Sequence, residues 1–107
     1  MSALKTMFQL TGRGYAAATL SNASLLIIDA QNEYLSGPLA LSGMDAATAN
    51  IALLLEAARK ANRPVVHIRH LGTVGGMFDP QGERGEFIKG LEPQGDEVII
   101  EKRMPNA

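Results

Sequence analysis

Three short apolar runs punctuate the chain, and each stops at a charged residue. The first, Ser24-Leu25-Leu26-Ile27-Ile28-Asp29, is continuous rather than alternating. A strand with that pattern needs both faces covered, as in the middle of a parallel sheet. Val65-Val66-His67-Ile68-Arg69 and Val98-Ile99-Ile100-Glu101-Lys102 repeat the pattern and predict a second and a third strand. Between the first two, Ala47, Ile51, Leu54, Leu55 and Ala58 fall on one stripe at helical spacing, and the stripe ends at Asn62, before Arg63-Pro64. The pattern predicts a helix over 44–61, with Ser42 or Asp45 as its cap. Strand, helix and strand in this order form a βαβ unit, whose strands run parallel. The second strand is expected between the first and third.

The connecting stretches are harder to read. Ala30 to Gly43 contains Gly37-Pro38 and no periodicity, and reads as a loop. Residues 70–96 are rich in glycine, with one short helix expected around Glu83 to Leu91. Before the first strand, Leu4 to Leu10 has the look of a short strand, and Thr11-Gly12-Arg13-Gly14 that of a turn. Residues 1–23 are therefore set apart as an extension, and 24–107 as the domain proper. Charge is unevenly divided: residues 1–54 hold two basic and three acidic side chains, whereas 55–107 hold eight of each. A half so poor in charge is expected to be mostly interior.

Composition narrows the function classes. Ten Lys and Arg against eleven Asp and Glu give a net charge of -1, which argues against a protein built to hold phosphate backbones. No nucleic-acid partner is expected. The absence of cysteine among the 107 residues excludes disulfides, thiolate metal sites and a thiol nucleophile within them. The longest uncharged run, Gly14 to Ile28, is too short and too polar for a membrane span, and no membrane partner is expected. Met1-Ser2-Ala3-Leu4-Lys5 lacks the basic-then-apolar build of a secretion signal, so the expected location is cytoplasmic.

Few residues carry chemistry. Gly12-Arg13-Gly14-Tyr15-Ala16-Ala17 matches the GxGxxA form of a dinucleotide fingerprint, but no long helix follows it, and a plain turn is the preferred reading. His67 and His70, with Asp79 downstream, raise the question of a metal. Their spacing along a strand does not converge them, and one histidine packed at the sheet plus one in a loop is preferred. Asp29 is more informative. It ends a buried strand at the carboxyl edge, where open α/β sheets place their ligands. There a carboxylate acts as a general base or orients one, or simply caps a turn, and position alone leaves both open. Lys102 ends the third strand at the same edge. With neighbouring strands about 4.8 Å apart, its side chain can reach back over the second strand toward Asp29. The alternative is a surface lysine on an edge strand.

Leu26-Ile27-Ile28-Asp29-Ala30-Gln31-Asn32, Val65 to Arg69, and Val98-Ile99-Ile100-Glu101-Lys102-Arg103 together resemble the isochorismatase-like cysteine hydrolases. Leu91-Glu92-Pro93-Gln94-Gly95-Asp96-Glu97 is similar to that family's lead-in to its third strand. The resemblance runs from about Ser24 to Ala107 and implies a Rossmann-like α/β fold. Its parallel sheet has the order 3-2-1-4-5-6 and helices on both faces, of which this chain is expected to supply the first three strands, the N-terminal half. It further implies an Asp-Lys-Cys triad onto which Asp29 and Lys102 map. Its cysteine comes after the fourth strand. The implied chemistry is thiolate attack on a small-molecule amide or related C–N bond, with the Asp taking the thiol proton and the Lys stabilising charge. Some isochorismatases use the Asp alone on a vinyl ether. His70-Leu71-Gly72-Thr73 lacks the Asp-x-His of metal-dependent nicotinamidases, so neither metal nor cofactor is expected. The 107 residues alone are expected to be inactive, and to self-associate as a homo-oligomer or pair through an exposed sheet edge. A non-catalytic α/β binding module is the alternative.

Overall fold

A computed structural model describes residues 3–14 and 16–107. The three apolar runs form strands β1 (Leu25–Ile28), β2 (Val65–His70) and β3 (Val98–Lys102). They lie in one open sheet of order β1-β2-β3, and both pairings are parallel. Leu26 lies beside Val66 and Val66 beside Val98, while His70 lies beside Lys102. Helix α3 (Met44–Lys60) makes the crossover from β1 to β2. It buries Leu55 and Ala58 against Ile27 and Val65, with Ile51, Leu25 and Met44 packed around them. Ile88 and Leu91 close this cluster from the long connection before β3.

The second face of the sheet is largely uncovered at the two outer strands among the described residues, while Ile68 in the middle strand is buried. Strand alternation puts Leu26, Ile28, Val66, Ile68, Val98 and Ile100 there. Four of these are about half exposed: Leu26 at 53%, Ile28 at 50%, Val98 at 51% and Ile100 at 49%. Leu54, read as part of the buried stripe of α3, is likewise exposed at 53%. It lies at the margin of the helix's buried face, in a hollow with Ala18, Leu20, Ala23 and Leu25.

Several local expectations are corrected. Leu4 to Leu10 is not a strand: Met7–Thr11 forms helix α1, started by a capping box. Thr6 Oγ1 accepts the Gln9 amide at 3.2 Å, and Gln9 Oε1 accepts the Thr6 amide at 2.8 Å. Gly12 ends this helix in the left-handed region, so the glycine motif follows a helix rather than a strand. Tyr15, within that motif, and Met1 and Ser2, in the leader reading, lie outside the described residues. The 30–43 loop contains a short helix, α2 (Glu33–Ser36). Neither Ser42 nor Asp45 caps α3, because the cap position falls on Gly43 between them. The helix expected over 83–91 is only a 3-10 turn at Glu83–Gly85. Beyond it the backbone bonds to the segment after β1 instead: Asn32 N–H to Glu86 O and Ile88 N–H to Ala30 O, both at 2.9 Å. Those bonds hold the chain extended, with Phe87 paired antiparallel to Gln31.

Candidate active site

Asp29 and Lys102 meet at the carboxyl end of the sheet, although they stand on the two outer strands. Lys102 Nζ lies 3.2 Å from Asp29 Oδ2, with both side chains largely buried. Strict alternation would send Asp29 to the face of Ile27, whereas Lys102 belongs to the face of Ile100. A left-handed backbone at Asp29, φ 57°, resolves the conflict by turning its side chain back across the strand end. Its amide still donates to Ile68 O at 2.9 Å, so the ladder holds while the side chain is re-aimed. Aspartate is among the few residues that tolerate this conformation. Asp29 Oδ1 is buried and without a hydrogen-bond partner, so a lone pair of the carboxylate stands open to a proton donor.

Lys102 is held from several sides. Its Nζ reaches Met104 O at 3.0 Å, Pro105 O at 3.2 Å and His70 Nδ1 at 3.3 Å. His70 is therefore not a loop residue: it ends β2, in register with Lys102 and on the same face. His67 faces the other way. It is fully buried, with Nε2 2.9 Å from Glu97 Oε1. The two histidines thus have separate partners. Among the described residues no group of three or more His, Asp or Glu gathers in a form that could hold a metal. Asp79 is occupied locally, accepting the amides of Gln81 at 2.8 Å and Gly75 at 2.9 Å, and these bonds hold its carboxyl below its ordinary value.

Three residues that the sequence reading passed over build the floor of the site. Gln31, fully buried, accepts the His70 amide at 2.9 Å and donates to His70 O at 2.9 Å and Gly85 O at 2.8 Å. Glu33, also fully buried, accepts the Phe78 amide at 2.8 Å and lies 3.7 Å from Arg84. Tyr34 packs edge-on against Phe78, and Phe78 edge-on against His70. Burial, then the charges of Asp29 and Glu33, push the Tyr34 phenol up. The signal for Gln31 and Glu33 lay in plain view: two long polar side chains in a stretch where most neighbours are uncharged. A surface groove of about 540 Å³ lies beside Arg69, Phe87 and Lys89 and includes neither Asp29 nor Lys102. No helix among the described residues is long and apolar enough to cross a membrane.

The chain is 35% identical to the secreted isochorismatase effector Isc1 of Verticillium dahliae, over 100% of this chain and 55% of that protein. It is 37% identical to the uncharacterized isochorismatase family protein YddQ of Bacillus subtilis, over 78% of this chain and 48% of that one. A crystal structure of an isochorismatase from Pseudomonas putida KT2440 superposes with a TM-score of 0.93 at 70% identity, covering 97% of this chain and 54% of that one. The chain thus spans about half the length of the relatives it matches. The model of the isochorismatase domain matches residues 23–107, and the chain belongs to the isochorismatase family.

Proposed function

We propose that these residues carry two members of the active site of a hydrolase that cleaves a small-molecule amide or related C–N bond. One observation supports this above the others: the 3.2 Å approach of Lys102 Nζ to Asp29 Oδ2 across the full width of the sheet. A carboxylate with a buried, unbonded oxygen beside an ammonium suits proton abstraction followed by stabilisation of charge. In this reading Asp29 takes a proton from a cysteine thiol, and Lys102 holds the resulting charge near the reacting carbonyl. The thiol would come from outside these 107 residues, which contain none. The 107 residues alone are then inactive toward amides, and their place of action is the cytoplasm.

The test is turnover of small amides by the protein carrying its nucleophile. Asp29→Asn keeps the shape and the left-handed backbone but removes the base, and is expected to lower kcat/KM by about 100-fold or more. Lys102→Met is expected to do likewise by removing the cation. Near-wild-type kcat/KM in either variant overturns that residue's role. Turnover of a vinyl ether by the 107 residues themselves would point instead to the thiol-independent route, with Asp29 as the acid or base.

A second reading, association without catalysis, is favoured by the bare apolar face of Leu26, Ile28, Val98 and Ile100. Contiguous exposed apolar surface marks a site of association. β1 also forms one edge of the sheet among the described residues, with backbone groups open to a further strand. Pairing of two copies through this face and edge is the expected form.

A further inference from the structure

A lysine side chain is flexible, yet that of Lys102 is held in one place at the mouth of the sheet. Four acceptors surround Lys102 Nζ: Asp29 Oδ2, His70 Nδ1, Met104 O and Pro105 O, at 3.0 to 3.3 Å. An ammonium has three donors and no lone pair. A bond between Nζ and an imidazole nitrogen therefore requires that nitrogen to be the one without a proton.

His70 is unusually well fixed for such a task. Its amide and carbonyl are both clamped by the buried Gln31 side chain, at 2.9 Å each. Gln31 in turn ties this point to Gly85 O at 2.8 Å. The imidazole packs edge-on against Phe78, with ring centroids 4.9 Å apart. Phe78 is itself held by Tyr34 and, through its amide, by Glu33. The backbone of His70 is thus fixed by a buried side chain, its ring packs against the buried Phe78, and its Nδ1 lies 3.3 Å from Lys102 Nζ.

We propose that His70 is a positioning residue: its neutral ring accepts a hydrogen bond from Lys102 through Nδ1 and so aims the ammonium at the Asp29 carboxylate. The inference deepens the proposed hydrolase site and rests on it for its purpose. Protonation of His70 removes the acceptor and sets two cations 3.3 Å apart. The charged groups that meet the ring are few. Lys102 approaches it from β3, and Asp29, from the end of β1, lies beyond the ammonium. Glu33 and Tyr34 of α2 touch Phe78 rather than the ring, and Asp79 is satisfied within its own loop.

The experiment reads the imidazole directly, without turnover. Long-range 1H–15N spectra of the protein above the titration range of imidazole should show His70 with Nε2 protonated and Nδ1 bare. Lys102→Met should release it to a mixture of the two tautomers. Trace labelling with acetic anhydride at pH 8 should modify Lys102 about tenfold faster in His70→Phe, which keeps the ring packing but loses the acceptor. His70→Asn, whose amide oxygen can replace Nδ1, should restore slow labelling. A wild-type His70 protonated on Nδ1, or equal labelling of Lys102 in wild type and His70→Phe, overturns the proposal. Because neither readout needs catalysis, a failure of the hydrolase reading in Asp29→Asn leaves them intact and is told apart from a failure here.

Discussion

Replacing Glu97 by Gln should remove a pH-dependent share of stability that the fold draws from one carboxylate. Glu97 stands just before β3 and gathers three elements. Arg59 of α3 gives it two bonds, from Nε at 2.8 Å to Oε2 and from Nη2 at 2.9 Å to Oε1. Oε1 also takes the Gln94 amide at 3.0 Å and lies 2.9 Å from His67 Nε2 on β2. The Arg59 bonds first, then those from Gln94 and His67, outweigh burial and hold the Glu97 carboxyl down from 4.5 to about 2. A folded value below the unfolded one means stability fully present above pH 4.5 and lost as pH falls toward about 2. At about 1.4 kcal/mol per unit, the drop from 4.5 to about 2 sets a ceiling of about 3.5 kcal/mol. With Glu97 13% and Arg59 23% exposed, screening by solvent reduces the expectation to about 2 kcal/mol. Urea unfolding followed by circular dichroism, at one protein concentration from pH 7 to pH 2, measures it. Glu97→Gln should be about 2 kcal/mol less stable than wild type at pH 7, and the gap should close as the pH falls. A gap that stays constant with pH, or a variant as stable as wild type at neutral pH, refutes the reasoning.

Two further predictions concern packing. Leu26→Lys together with Ile100→Lys charges the bare face of the sheet and should make sedimentation independent of protein concentration, whereas the wild type should associate as its concentration rises; a wild type that sediments as a fixed monomer defeats the association reading. A Cβ at Gly72 would lie 1.7 Å from Met77 O, in the loop that carries Phe78 to His70, so Gly72→Ala should force that loop apart. Its expected cost is about 2 kcal/mol or more in thermal unfolding, and an unchanged Tm would show that the loop yields freely.

The parallel sheet was legible because its evidence is local and repeated. Runs such as Leu25–Ile28 and Val65–Ile68 have no alternation, and the stripe through Ile51, Leu55 and Ala58 has one period only, so few arrangements other than a βαβ unit satisfy both. Short elements were misread, because what starts or holds them was not recognised in the sequence. The capping box of Thr6 and Gln9 outweighed the apolar look of Leu4 to Leu10, and α2 is carried by tertiary bonds of Glu33 that no window of sequence contains. Likewise the helix expected over 83–91 lost to backbone bonds with residues 30–32, some 50 positions away, because loop partners are chosen by the assembled sheet.

The site divides along the same line. Asp29 and Lys102 were visible as the charged ends of apolar runs, since a strand's last residue needs no partner to be recognised as lying at the rim. Their contact was not visible, because it depends on a backbone angle. By alternation alone the two side chains fall on opposite faces of the sheet, and only the left-handed turn at Asp29 brings them within 3.2 Å. His70 was lost for the complementary reason. Its place depends on β2 running one residue beyond Arg69, where the expected strand stops, to the position opposite Lys102. That extra residue is fixed by the Gln31 clamp, whose bonds span 39 positions. Polar residues that define a strand's end are thus read from the other end of the hydrogen bond, and in this chain that end is a buried glutamine two residues beyond the carboxylate it serves.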